Sequence, residues 1–429
     1  MAKPALALHS SAKPAAPITG RAPDSKGSDG VLDARALQAA LAAALPQPAP
    51  QADSAPAFLP YGKQEISLAD IQAVIEALTS GWLTTGPRVG EFEKAFAAHC
   101  GAKEGVAINS GTAALHCAMR AVGVHTGDEV IVPALTFAAS ANAAIYEGAT
   151  PVFADVEPDT LLIDPASVAA RITPRTRAIV AVDYAGQPAD YDALREIARP
   201  RGIRIIADAC HAPGATYHGR ATGTLGDISC FSFHPVKHMT TCEGGMAATD
   251  DETLAAHMRR FRNHGIDSDH RSREAAGAHA YDMTELGYNY RLPDVQCALG
   301  LAQLPRLGGW VHARQKIAAA YDKAFAGIEQ VTPLKTRNDR TNAYHLYVVK
   351  LDPSLDRDAV FRHLRAQGIG ANVHYAPVYW HSYYQARGYA KGLCPMAERA
   401  SRHILTLPMF PAMTETDVAR VVDALKGAL

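Results

Sequence analysis

Three short stretches of the chain carry residue types that could do chemistry together. The first is Cys230-Phe-Ser-Phe-His-Pro-Val-Lys237-His-Met-Thr-Thr-Cys-Glu-Gly-Gly245, where a lysine is set among apolar neighbours. Pro235 fixes the backbone ahead of it and Gly244-Gly245 permit unusual dihedrals after it. Most lysines are simply solvated. One that is partly desolvated has a lowered pKa and can attack a carbonyl to form a Schiff base. The second is Asp208, which closes the run Arg204–Ala207 and is followed by Ala-Cys-His211. A carboxylate there can keep a heteroaromatic nitrogen protonated by ion pairing, although Asp after a strand is commonly only a turn former. The third is Asn109-Ser-Gly-Thr-Ala113, a small glycine-containing turn that opens a helix and points free amides and a positive dipole end at whatever lies in front of it. That is either a phosphate cradle or a plain N-cap by Ser110.

These residues need elements to hold them. Ser67-Leu-Ala-Asp70 opens a helical pattern that runs to Thr79. Strand-like and helical runs then alternate: Val106–Ile108 with a helix from Thr112, Glu129–Val132 with Ala138–Glu147, Val152–Ala154, Ala178–Val182 with Tyr191–Arg199, and Arg204–Ala207. Such alternation predicts an α/β fold with mostly parallel strands covered by helices on both faces. After about residue 310 the pattern changes to a long helix Val311–Phe325, a strand His345–Lys350, a helix Arg357–Gln367, a strand near Gly370–Tyr375 and a last helix from Glu415, which reads as a smaller α+β domain. In open α/β sheets ligands sit beyond the carboxyl ends of the strands, and all three stretches follow strand-like runs. A Schiff-base lysine, a carboxylate for a pyridinium nitrogen and a phosphate cradle are the three handles of pyridoxal phosphate.

Composition narrows the alternatives. The 42 Lys+Arg balance 43 Asp+Glu, so no field exists to hold nucleic acid or an anionic membrane, and a small-molecule ligand is expected. Seven cysteines without Cys-x-x-Cys spacing indicate reduced thiols and a cytoplasmic location. No apolar run approaches the ~20 residues of a membrane span. Residues 1–60 hold 9 of the 27 prolines, whereas all 16 Tyr, 11 Phe and 3 Trp lie from Phe58 onward. Residues 1–57 therefore read as a disordered Ala/Pro-rich tail in which Val31–Leu45 forms at most a transient helix, followed by a large domain at 58–310 and a small one at 311–429.

From Pro60 to the C-terminus the chain resembles the DegT/StrS nucleotide-sugar aminotransferases, which are pyridoxal phosphate enzymes of fold type I (aspartate aminotransferase-like). The resemblance rests on Ser80-Gly-Trp-Leu-Thr-Thr-Gly86, Asn109–Ala113, Thr136-Phe137, Pro151-Val-Phe153, Asp208-Ala-Cys-His211, Phe231–Lys237, Glu243-Gly-Gly245, Arg262-Asn-His-Gly265 and Gly287-Tyr-Asn-Tyr-Arg291. It implies that Lys237 carries the cofactor and shuttles the proton, Asp208 pairs with the pyridine nitrogen and Phe137 stacks on the ring. It also implies that Gly111, Thr112 and Ser232 hold the phosphate, that His211 lies beside the ring, and that Asn289 reaches the cofactor of a partner subunit in a homodimer with shared sites. Arg291, His345, His374 and Tyr375 are the expected contacts to substrate, with glutamate as amino donor. Phe233-His-Pro-Val-Lys237, Val182-Asp-Tyr-Ala-Gly186 and Val373–Tyr379 are most similar to the subgroup that aminates C4 of a UDP-linked 4-keto-6-deoxy-N-acetylhexosamine on the way to pseudaminic acid; the 4-amino-4-deoxy-L-arabinose branch is also similar. His238 after the lysine departs from the family pattern.

Two rival readings belong to other classes. His234 and His238 have the i, i+4 spacing of a zinc pair, but Pro235 between them opposes a shared helix face, so no metal is expected. A non-catalytic regulatory protein that binds pyridoxal phosphate would not need the lysine and the carboxylate together.

Overall fold

The computed structural model describes residues 57–268, 273, 277 and 279–429. The expected tail and its candidate helix Val31–Leu45 lie outside the described residues apart from Ala57.

Seven strands form the main sheet: β1 Glu104–Ile108, β2 Glu129–Pro133, β3 Thr150–Ala154, β4 Thr176–Val182, β5 Arg204–Asp208, β6 Ile228–Ser232 and β7 Gly245–Thr249. Their spatial order is β1-β7-β6-β5-β4-β2-β3. The pairs β2/β3, β2/β4, β4/β5 and β5/β6 are parallel, while β7 runs antiparallel to both β1 and β6. Successive side chains of a strand point to opposite faces. Val106 and Ile108 pack on one side with the helices Gly111–Ala121 and Ala138–Tyr146, and Ala107 packs on the other with Phe92 and Phe96 of the helix Pro87–Cys100. Both faces being covered, the strand interiors are largely apolar, with charged residues such as Glu104, Arg177 and Arg204 at the strand starts.

Toward the C-terminus, Val331–Pro333, Tyr347–Leu351 and Ile404–Leu407 make a three-stranded antiparallel sheet. Its core joins side chains from the helices Leu307–Phe325, Arg357–Ala366 and Glu415–Lys426. Leu59 also belongs to that core, and its amide donates to Gly368 O at 2.9 Å.

Several expectations need correction. Gly370–Tyr375 is not a strand; it makes one isolated bridge, Asn372 with Thr406. Asn372 Oδ1 takes the neighbouring Val373 N–H at 2.8 Å, so the side chain competes with the ladder. The long helix starts at Leu307 rather than Val311, its first turn taking in Gly308 and Gly309. The strand expected from His345 starts at Tyr347, after a left-handed residue at Tyr344 (φ 48°). The stretch bearing Lys237 is strand only to Ser232, and Pro235 and Val236 then form a turn. The Ser67 expectation is met in detail: Ser67 and Asp70 form a reciprocal capping box on the helix Leu68–Thr79.

Candidate active site

The carboxyl ends of β4, β5 and β6 and the turn after β1 converge on one place. Asp208 is the last residue of β5. One of its oxygens accepts from Ser140 Oγ at 2.7 Å and the other from the Cys210 amide at 3.3 Å. Ser140 Oγ also pairs with Thr136 Oγ1 at 2.9 Å, so a chain of hydroxyls orients the carboxylate. Ser110 caps the helix Gly111–Ala121 by accepting from the Ala113 amide at 3.1 Å, which leaves the first-turn amides of Gly111 and Thr112 at the positive end of that helix. Ser232, the last residue of β6, faces this turn: a Cβ on Gly111 would lie 2.8 Å from Ser232 Cβ and 3.2 Å from Cys210 Sγ.

Lys237 Nζ lies 3.5 Å from His345 Nε2. The His345 ring packs 4.4 Å from that of His211 and 5.7 Å from that of His238. Tyr375 Oη meets His211 Nε2 at 3.3 Å, and the two rings are stacked, with 20° between their planes. Phe137 is exposed and tilts toward Tyr375 with ring centres 6.2 Å apart.

Burial sets the electrostatics. It pulls the Lys237 ammonium below the usual lysine range, against the opposing pull of Cys210 and Asp208. It holds His211, His238 and His345 well below the usual histidine value, and neighbouring cations push the same way. His374 is lowered to about 4, first by burial and then by Lys237. Asp183, next to the end of β4, is raised to about 7 by burial.

Not every expected residue joins the cluster. Asn289 is exposed, and only its backbone oxygen meets Asn109 Nδ2, at 3.5 Å. Arg291 donates to Asn263 Oδ1 at 2.8 Å and lines a separate cleft with Arg259, Arg260 and Arg262. His374, expected to meet substrate, has both ring nitrogens engaged within the chain, by Thr406 Oγ1 at 2.9 Å and Asn372 Nδ2 at 3.3 Å. His345, expected to meet substrate as well, does join the cluster, buried against Lys237. Ser140 and Arg314 are not among the residues the sequence singles out, and Thr136 is there only as part of the Thr136-Phe137 resemblance, with no role of its own. Ser140 follows Thr136 by one helical turn in Thr136-Phe-Ala-Ala-Ser140, which was the available signal.

These groups fit pyridoxal phosphate: a glycine-lined cradle that a side chain would fill, an oriented carboxylate and a desolvated lysine at one set of strand ends. Fold and site define a pyridoxal phosphate enzyme of fold type I. The DegT/DnrJ/EryC1/StrS aminotransferase family matches residues 64–426. The spore coat polysaccharide biosynthesis protein SpsC of Bacillus subtilis (strain 168) is 42% identical over 375 residues, covering 86% of this chain and 96% of SpsC. Among solved structures, Helicobacter pylori PseC, an aminotransferase involved in pseudaminic acid biosynthesis, is 30% identical with a TM-score of 0.81, over 86% of this chain and 99% of its own. Spr1654 from Streptococcus pneumoniae in its PLP form is 31% identical with a TM-score of 0.82, over 86% of this chain and 98% of its own. The chain belongs to the DegT/DnrJ/EryC1/StrS family and is a pyridoxal phosphate-dependent sugar aminotransferase.

Proposed function

We propose that the protein transfers the amino group of glutamate to the C4 keto carbon of a UDP-linked 4-keto-6-deoxy-N-acetylhexosamine, the type of step that leads to pseudaminic acid. The observation that carries the transamination is Lys237 and Asp208 converging with the helix Gly111–Ala121 at one set of strand ends. For the sugar, support comes from the motifs around Lys237 and Val182–Gly186 and from the likeness to PseC.

Pyridoxal phosphate, when bound, supplies an aldehyde and an electron-accepting ring. Lys237 Nζ is the amine that bonds it and the base that takes and returns the substrate Cα proton. Asp208, held by Ser140, keeps a proton on the ring nitrogen. Gly111, Thr112 and Ser232 would hold the phosphate, Phe137 would stack on the ring, and His211, with Tyr375 Oη as its partner at 3.3 Å, would flank it. Asn289 reaches the cofactor phosphate of the partner subunit in a homodimer, and Arg291 meets phosphate or substrate. Tyr281, Met283, Leu286 and Tyr288, just ahead of Asn289, present exposed large apolar side chains, which supports such an interface. Two lobes, 58–310 and 311–429, frame the site. A cytoplasmic location is supported by the free thiols of all seven cysteines.

The test is an amination assay with glutamate across UDP-, dTDP- and GDP-linked 4-keto sugars. Turnover fastest with the UDP-linked N-acetylhexosamine supports the reading. Turnover confined to another nucleotide or to a 4-keto pentose overturns the substrate and leaves the chemistry standing.

A further inference from the structure

His345 is held with more structure than a substrate contact requires. Tyr344 before it adopts a left-handed conformation (φ 48°), and its amide donates to Asn342 Oδ1 at 2.8 Å. The Ala343 amide donates to Gly186 O at 2.9 Å and the Leu346 amide to Ala185 O at 3.2 Å, so both flanks of His345 are tied to the turn after β4. That approach depends on Gly186, where a Cβ would come within 2.5 Å of the Tyr344 amide nitrogen. From behind, the buried guanidinium of Arg314 donates to the carbonyls of Tyr344 at 3.2 Å, His345 at 3.3 Å and Met409 at 2.9 Å. Among the described residues Arg314 makes no ion pair, so a buried cation is committed to fixing this turn.

The imidazole so placed faces Lys237, His211 and His238, with Arg314 beneath. No carboxylate is among these groups, and burial, with the cationic Lys237 and Arg314 beside it, favours the neutral ring. Nε2 is directed at Lys237 Nζ, while Nδ1 is buried without a partner. With Nε2 accepting, the ring proton sits on Nδ1 as a buried donor with no partner, and an orphaned polar atom beside a reactive group asks for a functional explanation. A lysine that must attack a carbonyl needs its lone pair free, so a donor at Nε2 would obstruct it and an acceptor would help.

We propose that His345 is a positioning residue for Lys237, its neutral Nε2 accepting one N–H of the lysine so that the amine lone pair is aimed at the carbon it must bond. This rests on the reading above that Lys237 is the amine that bonds the cofactor. The separation of 3.5 Å is that of a contact still to be tightened, as is usual before ligands bind.

The experiment uses apo-protein mixed with pyridoxal phosphate, quenched with borohydride at intervals and mapped for label on Lys237, between about pH 6 and pH 9. His345→Leu keeps bulk without an acceptor, His345→Gln restores an acceptor at nearly the same reach, and His345→Asn leaves it short. Loss of one such hydrogen bond lowers the labelling rate about tenfold in the Leu and Asn variants, with the same final extent. The Gln variant recovers to within about threefold. In steady state kcat falls with the labelling rate while KM for both substrates holds. If the Leu variant does not fold, the Asn and Gln comparison decides. Wild-type labelling rates in the Leu or Asn variant overturn the proposal, as does a raised KM for the sugar with labelling and kcat unchanged. If wild-type protein takes no label at Lys237, the functional reading itself falls, which is a separate result.

Discussion

Gly245 opens β7, paired with Ile108 of β1 and Ser232 of β6, directly under the turn that opens the helix Gly111–Ala121. A methyl group there would lie 2.5 Å from Ser110 O and 2.8 Å from the Gly111 amide nitrogen. Both are backbone atoms and cannot rotate aside. Ordinary contact begins near 3.4 Å, so the turn would have to retreat by about 0.9 Å, the difference between 3.4 and 2.5 Å. Overpacking of this kind costs about 1–3 kcal/mol of stability. The displaced amides are those proposed to hold the phosphate, and hydrogen bonds to a charged group contribute about 1.5–3 kcal/mol each. Weakening them by about 2 kcal/mol in all raises the Kd for pyridoxal phosphate roughly 30-fold, at ~1.4 kcal/mol per factor of ten. Gly308→Ala is the control: nothing lies within 4 Å of its added methyl, in the first turn of the helix Leu307–Phe325. That change should add up to about 1 kcal/mol through helix propensity and leave cofactor affinity alone. Absorbance titration of apo-protein with pyridoxal phosphate, beside thermal melts of the apo forms, reads both quantities. A destabilised Gly245→Ala protein that binds the cofactor with wild-type affinity would refute the cradle at Gly111.

Three further outcomes are expected. Lys237→Ala abolishes borohydride-stable incorporation of cofactor, measured by mass spectrometry, while the fold persists. Ser140→Ala frees one oxygen of Asp208 and lowers kcat about tenfold, the equivalent of one hydrogen bond to a charged group; Ser140→Thr restores most of it in the same assay. His374 has its pKa depressed to about 4 from an ordinary 6.5, so the folded chain resists a proton that the unfolded chain accepts. Stability is unaffected above about pH 6.5 and falls as the pH drops from there to about 4, by about 3 kcal/mol from this group. In His374→Gln that part of the acid loss disappears from denaturant titrations run across the window, whereas the neighbouring buried histidines still contribute theirs.

The chemistry was legible wherever one residue type in a local frame sufficed. Lys237, Asp208 and the Ser110-Gly111-Thr112 turn follow strands whose apolar runs are readable by themselves, and the structure brings all three to one end of the sheet. What escaped depends on partners distant in sequence. Ser140 matters only because its helix brings it 2.7 Å from Asp208, and Arg314 because three carbonyls from two distant segments, Tyr344-His345 and Met409, surround it. Likewise, His345 meets Lys237 and His374 meets Thr406 only through the fold, since each pair lies far apart in the chain. The reversed direction of β7 was equally hidden, since Gly-Met-Ala-Ala-Thr carries no mark of its polarity. Asn372 hides the opposite error: Gly370–Tyr375 has strand-like residues, and a single side-chain carbonyl diverts the backbone.

β1 sits at the edge of the main sheet, where among the described residues β7 is its one strand neighbour and Arg291 adds a single bridge at Ile108. Glu104 pairs with Thr249, roughly 140 residues later in the chain. At about 5–20 residues per second on the ribosome, the strand that carries the cradle waits some 7–30 s for the partner that fixes it. Until then the nascent chain leaves the apolar edge of β1 without its sheet partner, and the Gly111 turn lacks the Gly245 backbone that packs beneath it. Completion of that turn is therefore a late event in the birth of this protein.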